Sequence, residues 1–153
     1  MEMDIKNFLT IEQRELLEDG RRLLSWMKKH PVDRFSDYSF LVAPFAKGYE
    51  GFLKSFFLKL GLISEKQYYS DRFRVGKVLN PNLRHKKWSV YKKLENLGKT
   101  GERIADHLWQ AWRQGRNQVF HYFPRNLNRL TLAEAEERIN AILAAIQEAE
   151  LLI

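Results

Sequence analysis

The stretch Phe45-Ala46-Lys47-Gly48-Tyr49-Glu50-Gly51-Phe52-Leu53-Lys54-Ser55-Phe56-Phe57-Leu58-Lys59-Leu60 decides the fold class. Phe45, Tyr49, Phe52, Phe56 and Leu60 recur at three- and four-residue spacing, the period of a helix that buries one face. Leu53 and Phe57 widen that face, while Lys47, Glu50 and Lys54 lie opposite it. A strand would alternate every second residue, and this stretch does not. The spacing predicts a helix from about Phe35 to Leu62, with Pro44 kinking it or starting its second half and Gly61 ending it.

The same period runs outward on both sides. Thr10-Ile11-Glu12-Gln13 has the capping-box pattern, and Leu16, Gly20, Leu23, Leu24 and Met27 follow as a stripe that stops at His30-Pro31. A further helix is predicted from about Thr100 to Phe123, ended by Pro124. Its core face would be Ile104, Leu108, Ala111, Gly115, Val119 and Tyr122. Thr131-Leu132-Ala133-Glu134 is a second capping box, ahead of Ile139, Ile142, Leu143 and Ile146. Between the second and third long helices, residues 64–99 read as short pieces. Ser64 could cap a turn, Gly76 and Asn80-Pro81-Asn82 are breakers, and a short helix near Ser89–Leu97 stops at Gly98. The expectation is one all-α domain over residues 1–153: a bundle of four main helices with a basic, partly irregular insertion at about 64–99.

Composition narrows the function classes. With 44% hydrophobic and 13% aromatic residues the chain is too apolar for intrinsic disorder. The absence of cysteine removes disulfides, thiolate metal sites and cysteine nucleophiles together. No apolar run approaches the ~18 residues of a membrane span. The start, Met1-Glu2-Met3-Asp4, lacks the basic-then-apolar order of a signal peptide, so a soluble cytoplasmic protein with no membrane partner is expected. Four histidines without cysteine argue against structural zinc, and neither a metal nor a cofactor is expected.

The net charge of +7 is concentrated. Residues 64–99 hold ten Lys/Arg against three acids, and the rest of the chain is neutral. Aromatic residues interleave this patch (Tyr68, Tyr69, Phe73, Trp88, Tyr91) and could stack bases. Arg84, Lys86, Lys87, Lys92 and Lys93 are the candidate RNA-binding residues; a solvated lysine-rich surface is the plain alternative.

Walker loops, Gly-x-Gly-x-x-Gly, His-Glu-x-x-His and Gly-x-Ser-x-Gly are all absent. His30 reads as a cap or solvent residue, His85 as part of a basic run and His107 as a flanking helix residue. Arg116-Asn117-Gln118-Val119-Phe120-His121 stands out. Composition makes an Arg-Asn pair with His at this spacing a chance event of roughly 0.02 per chain. On an ideal helix Asn117 and His121 share the face opposite the core, while Arg116 lies ~140° from His121 beside Trp109 and Trp112. A compact site would then need a covering surface, which a two-fold dimer supplies. An ordinary polar helix face is the alternative.

The run Arg116–His121 resembles the Arg-x4–6-His motif of HEPN domains, all-α ribonucleases of defence and stress systems. The residue after the arginine there is commonly Asn, Asp or His, and Asn117 fits. The helix pattern of the family covers most of the chain, the tight motif only six residues. Pro44–Lys54 looks like the HEPN region of RnlA/LsoA-type toxins, where a basic residue and a glutamate three later belong to the active site. By position these are Lys47 and Glu50, with lysine where the family toxin has arginine. From the residues alone, Lys47, Glu50 and Lys54 also read as a surface row of ion pairs. Gly48 and Gly51 within a helix point to close approach by a backbone or a substrate.

The resemblance implies a metal-independent endoribonuclease in which the RNA 2′-OH attacks the adjacent phosphate. His121 would be the acid/base and Arg116 the stabiliser of the phosphorane. Asn117 would orient His121 or the phosphate, Glu50 would be a second acid/base or fix Arg116, and Lys47 would bind phosphate. It further implies a homodimer, RNA as substrate and an antitoxin protein as partner. The rivals are a non-catalytic HEPN-like module that binds RNA or a nucleotide, and a helical protein that docks an acidic partner.

Overall fold

The computed structural model describes residues 8–31 and 34–153; the Met1–Asp4 start lies outside them. Among the described residues every regular element is helical, and there is no strand. Among the described residues seven α-helices follow in order: α1 Ile11–Lys29, α2 Ala43–Lys59, α3 Glu65–Tyr69, α4 Val75–Val78, α5 Val90–Glu95, α6 Lys99–Trp112 and α7 Leu132–Ala149. Four of them are long (α1, α2, α6 and α7), and they form the bundle the periodicity predicts. No helix among the described residues is long and apolar enough to cross a membrane.

The predicted caps are formed. Thr10 with Gln13, Ser64 with Gln67 and Thr131 with Glu134 each close a reciprocal capping box, satisfying two otherwise orphaned N–H groups. The α2 face is buried as expected: Phe45, Tyr49, Phe52, Leu53, Phe56 and Phe57 are at most 2% exposed. Tyr49 spans the core and donates its hydroxyl to the Leu108 carbonyl of α6 at 2.9 Å. Burial pushes its phenol well above the ordinary range.

Several boundaries differ from the prediction. α2 begins at Ala43, not Phe35: Pro44 takes a first-turn position, where its missing N–H costs nothing, after a 3-10 turn at Ser39–Leu41. In α1 the buried stripe is Gln13, Leu17, Gly20 and Met27, and Leu23 is exposed. The rotation follows from how closely α1 lies on α2. A Cβ at Gly20 would stand 2.5 Å from the Phe45 ring, and one at Gly48 3.1 Å from Leu17 Cδ2 and 3.5 Å from the Gln13 carbonyl oxygen. Gly48 and Gly51 therefore accommodate α1 itself; Gln13 Nε2 then donates to Ser55 Oγ at 2.8 Å across the seam.

Residues 64–99 are less of an insertion than their composition suggests. Val75, Val78, Leu79, Val90, Tyr91 and Leu94 are buried in the common core. Tyr91 donates its hydroxyl to the Asp106 carboxylate of α6, and burial together with that bond pushes its phenol up to about 12. Most of the charged residues between these anchors face outward, which is why the segment reads as basic and irregular.

Candidate active site

The helix that carries the arginine does not run on to Phe123. α6 gives way after Trp112 to a π-turn, Arg113–Asn117, in which the Gln118 N–H reaches back to the Arg113 carbonyl at 2.9 Å. Gly115 sits at its centre against α7: a Cβ there would stand 2.7 Å from Ile142 Cδ1. The wide turn holds Val119 in the core but carries Tyr122 out to 77% exposure, overturning its place on the predicted core face.

Beyond the turn the chain is held by side chains. Asn128 donates to the Gln118 carbonyl at 2.8 Å and to the carbonyl of His121. These are helix-end acceptors without partners in the helix, so one amide caps the end of the motif. Arg125 and Asn126 adopt positive φ (62° and 49°) to bring it there. Asp37, from the connection between α1 and α2, clamps the far side of this loop. Its carboxylate accepts from the Ser39 N–H and hydroxyl, from the Leu130 N–H at 3.1 Å and from the Asn126 amide at 3.1 Å. Burial alone would raise its pKa, but these four donors outweigh it and hold the carboxyl below the ordinary range. Nothing in the sequence singled out Asp37 or Asn128; their partners are distant along the chain.

On this platform Arg116 meets α2. Its Nε lies 3.8 Å from Glu50 Oε2, both side chains 39% exposed. The guanidinium also lies over the rings of Trp112 (5.6 Å) and Phe120 (5.9 Å). Among the described residues its terminal nitrogens have no hydrogen-bond partner. The ion pair and the two rings thus restrain the guanidinium, and its terminal nitrogens are left for a planar anion such as a phosphate.

Asn117 and His121 form the second half. Asn117 Oδ1 lies 3.3 Å from His121 Nε2. An amide oxygen accepts, so Nε2 is the donor of this pair and Nδ1 is left without a partner among the described residues. Arg116 and His121 are not joined by a hydrogen bond, and His121 remains exposed.

Lys47 is not part of this cluster. It lines a different cleft with Lys54, Tyr68 and Tyr69. The five candidate RNA-binding residues also divide. Arg84 donates to the Pro81 carbonyl, approaches Glu95 at 3.9 Å and covers the Tyr91 ring, and Lys93 donates to the Leu62 carbonyl at 2.9 Å. Lys86, Lys87 and Lys92 are exposed and have no acidic partner among the described residues. His30 closes α1, donating from Nδ1 to the Trp26 carbonyl and stacking on the Trp26 ring, while His107 pairs with Glu148. No group of three or more His, Asp or Glu that could hold a metal ion occurs among the described residues.

No family model matches the chain, and neither a curated protein nor a solved structure matches it.

Proposed function

We propose that this chain is a metal-independent endoribonuclease of the HEPN type, acting in the cytoplasm as the toxin of a toxin–antitoxin or antiphage defence system. The observations that carry the reading are the Glu50–Arg116 pair, which brings α2 to the arginine of the motif, and the Asn117–His121 hydrogen bond one residue further along. Residues far apart in sequence meet there, and their types match the chemistry RNA cleavage needs.

RNA supplies its own nucleophile, so the protein must supply a base, an acid and positive charge. His121 Nδ1 takes the proton of the 2′-OH, whose oxygen then attacks the neighbouring phosphorus. Negative charge grows on the non-bridging oxygens, where the free edge of Arg116 meets it with two parallel hydrogen bonds. The 5′-oxygen leaves with a proton from the protonated His121 of a second copy of the chain, and the products are a 2′,3′-cyclic phosphate and a 5′-OH. Asn117 keeps His121 in the required tautomer, and Glu50 acts through Arg116 as a positioning residue.

One imidazole cannot serve both sides of the phosphorus at once, and a two-fold dimer brings a second. Phe120, Tyr122, Phe123 and Leu127 support such a dimer: they expose apolar surface around His121, with Tyr122 and Leu127 77% and 76% accessible. An antitoxin protein would act by covering the same surface.

The test is cleavage of a mixed RNA pool in excess chelator. Wild type should cut, and His121→Ala should lose about 10²- to 10⁴-fold in rate while folding and RNA affinity persist. Varied RNAs left intact by the wild type would refute the reading.

A further inference from the structure

We propose that the cleft between α1, α2 and α3 is a single-stranded RNA subsite, in which Tyr69 stacks a base and Lys47 and Lys54 hold flanking phosphates. The inference rests on the ribonuclease reading and extends it to nucleotides away from the scissile bond.

The cleft has a volume of about 620 Å³ and lies among Gln13, Lys47, Gly51, Lys54, Tyr68 and Tyr69. That is within the ordinary range for a ligand site. Tyr69 is 81% exposed, and its hydroxyl has no partner among the described residues. An aromatic ring this open on a short helix contributes little to the core. Tyr68 is fixed behind it: Lys54 Nζ lies 5.4 Å from its ring centre, and the Tyr69 ring meets it edge-on at 4.9 Å. The platform is therefore oriented before any ligand arrives. Lys47 and Lys54 have no acidic partner within ion-pair distance among the described residues, and Glu12 is the one acid on the lining.

An open aromatic face next to lysines that lack an acidic partner is what sequence-tolerant single-strand binding requires, because every base has a π-face and every nucleotide a phosphate. Position adds to the chemistry. Glu50 lies between Lys47 and Lys54 on the outward row of α2, so a strand passing Arg116 continues along the same helix into this cleft. Gln13, packed over Gly51, forms the floor between the two lysines.

The experiment measures binding of a fluorescein-labelled single-stranded RNA of about ten nucleotides to the full chain carrying His121→Ala, which prevents cleavage during the titration. Adding Tyr69→Ala should weaken binding about 5- to 150-fold, and Tyr69→Phe should restore it, since stacking needs the ring and not the hydroxyl. Lys47→Ala with Lys54→Ala should lower the slope of log affinity against log salt by about 1.4, at ~0.7 per phosphate contact. Unchanged affinity in Tyr69→Ala would overturn the proposal, as would equal losses in Tyr69→Ala and Tyr69→Phe. Poly-glutamate binding as tightly as RNA, without response to Tyr69→Ala, would also overturn it in favour of an acidic protein partner. The two readings fail separately. A Tyr69 effect on binding with no cleavage by wild type keeps the subsite and removes the nuclease; cleavage with Tyr69→Ala binding unchanged does the reverse.

Discussion

Replacing Glu50 and Arg116 singly and together, Glu50→Ala, Arg116→Ala and the double variant, should separate what the pair does for folding from what it does for chemistry. Coulomb attraction at 3.8 Å in a water-like dielectric is about 1 kcal/mol. Both side chains are 39% exposed, and exposed pairs deliver a net ~0.2–1 kcal/mol. The stability cycle by urea denaturation should therefore give a coupling of at most about 1 kcal/mol, or a melting shift of ~2–4 °C. Activity should behave differently. Losing an oriented donor to the developing charge costs about 10²- to 10³-fold, so Arg116→Ala should lose that much. Glu50→Ala should lose less, since the rings of Trp112 and Phe120 still restrain the guanidinium. The double variant should be no slower than Arg116→Ala, because Glu50 acts through that residue and the effects of coupled residues do not add. Two results would refute the reasoning: multiplicative losses in the double variant, or a stability coupling above about 2 kcal/mol with cleavage intact.

Three further predictions concern the surroundings of the site. Asn117→Asp puts a carboxylate against His121 Nε2 and favours the imidazolium; the histidine limb of the pH–rate profile should move to higher pH, and an unmoved limb would uncouple the two residues. Asp37→Asn should cost about 2 kcal/mol at neutral pH by weakening charge-assisted bonds to the 126–130 loop. Because the folded pKa of Asp37 is lowered, its contribution is present above the ordinary carboxylate value near ~4 and lost as pH falls through the folded value. The stability gap between wild type and Asp37→Asn should accordingly close on acidification, as read from urea titrations at several pH values. Gly115→Ala should cost about 1–3 kcal/mol by driving a methyl into Ile142, and Ile142→Val, which removes the nearest atom, should recover part of the loss in thermal melts.

Much of the fold was legible because it depends on local rules. The two capping boxes at Thr10 and Thr131 and the cap at Ser64 stand where the sequence placed them, and the Phe45–Phe57 face is buried as its period required. The misreadings share one cause, which is packing between distant segments. The α1 stripe rotates because Gly20, Gly48 and Gly51 let two helices approach more closely than hydrophobicity alone indicates. The third long helix widens into a π-turn because Gly115 abuts Ile142, and that relation is invisible along one strand of sequence. The short helices at 64–99 looked irregular because anchors such as Val90 and Leu94 are sparse among lysines. For the site, the spacing of Arg116, Asn117 and His121 put those residues in view. The partnership of Glu50 with Arg116, the separation of Lys47 from both, and the clamp made by Asp37 and Asn128 depend on tertiary contacts between segments far apart in sequence.

The central claim is that the RNA's own 2′-OH is the nucleophile, prepared by His121 and met by Arg116. The most direct measurement uses a defined RNA and its counterpart with a single 2′-deoxy nucleotide on the 5′ side of the cleaved bond, both in excess chelator, with the product ends identified by mass spectrometry. The account predicts a 2′,3′-cyclic phosphate and a 5′-OH from the RNA and no cut at the 2′-deoxy position. Cleavage at the 2′-deoxy position, or products bearing a 3′-OH and a 5′-phosphate, would contradict it.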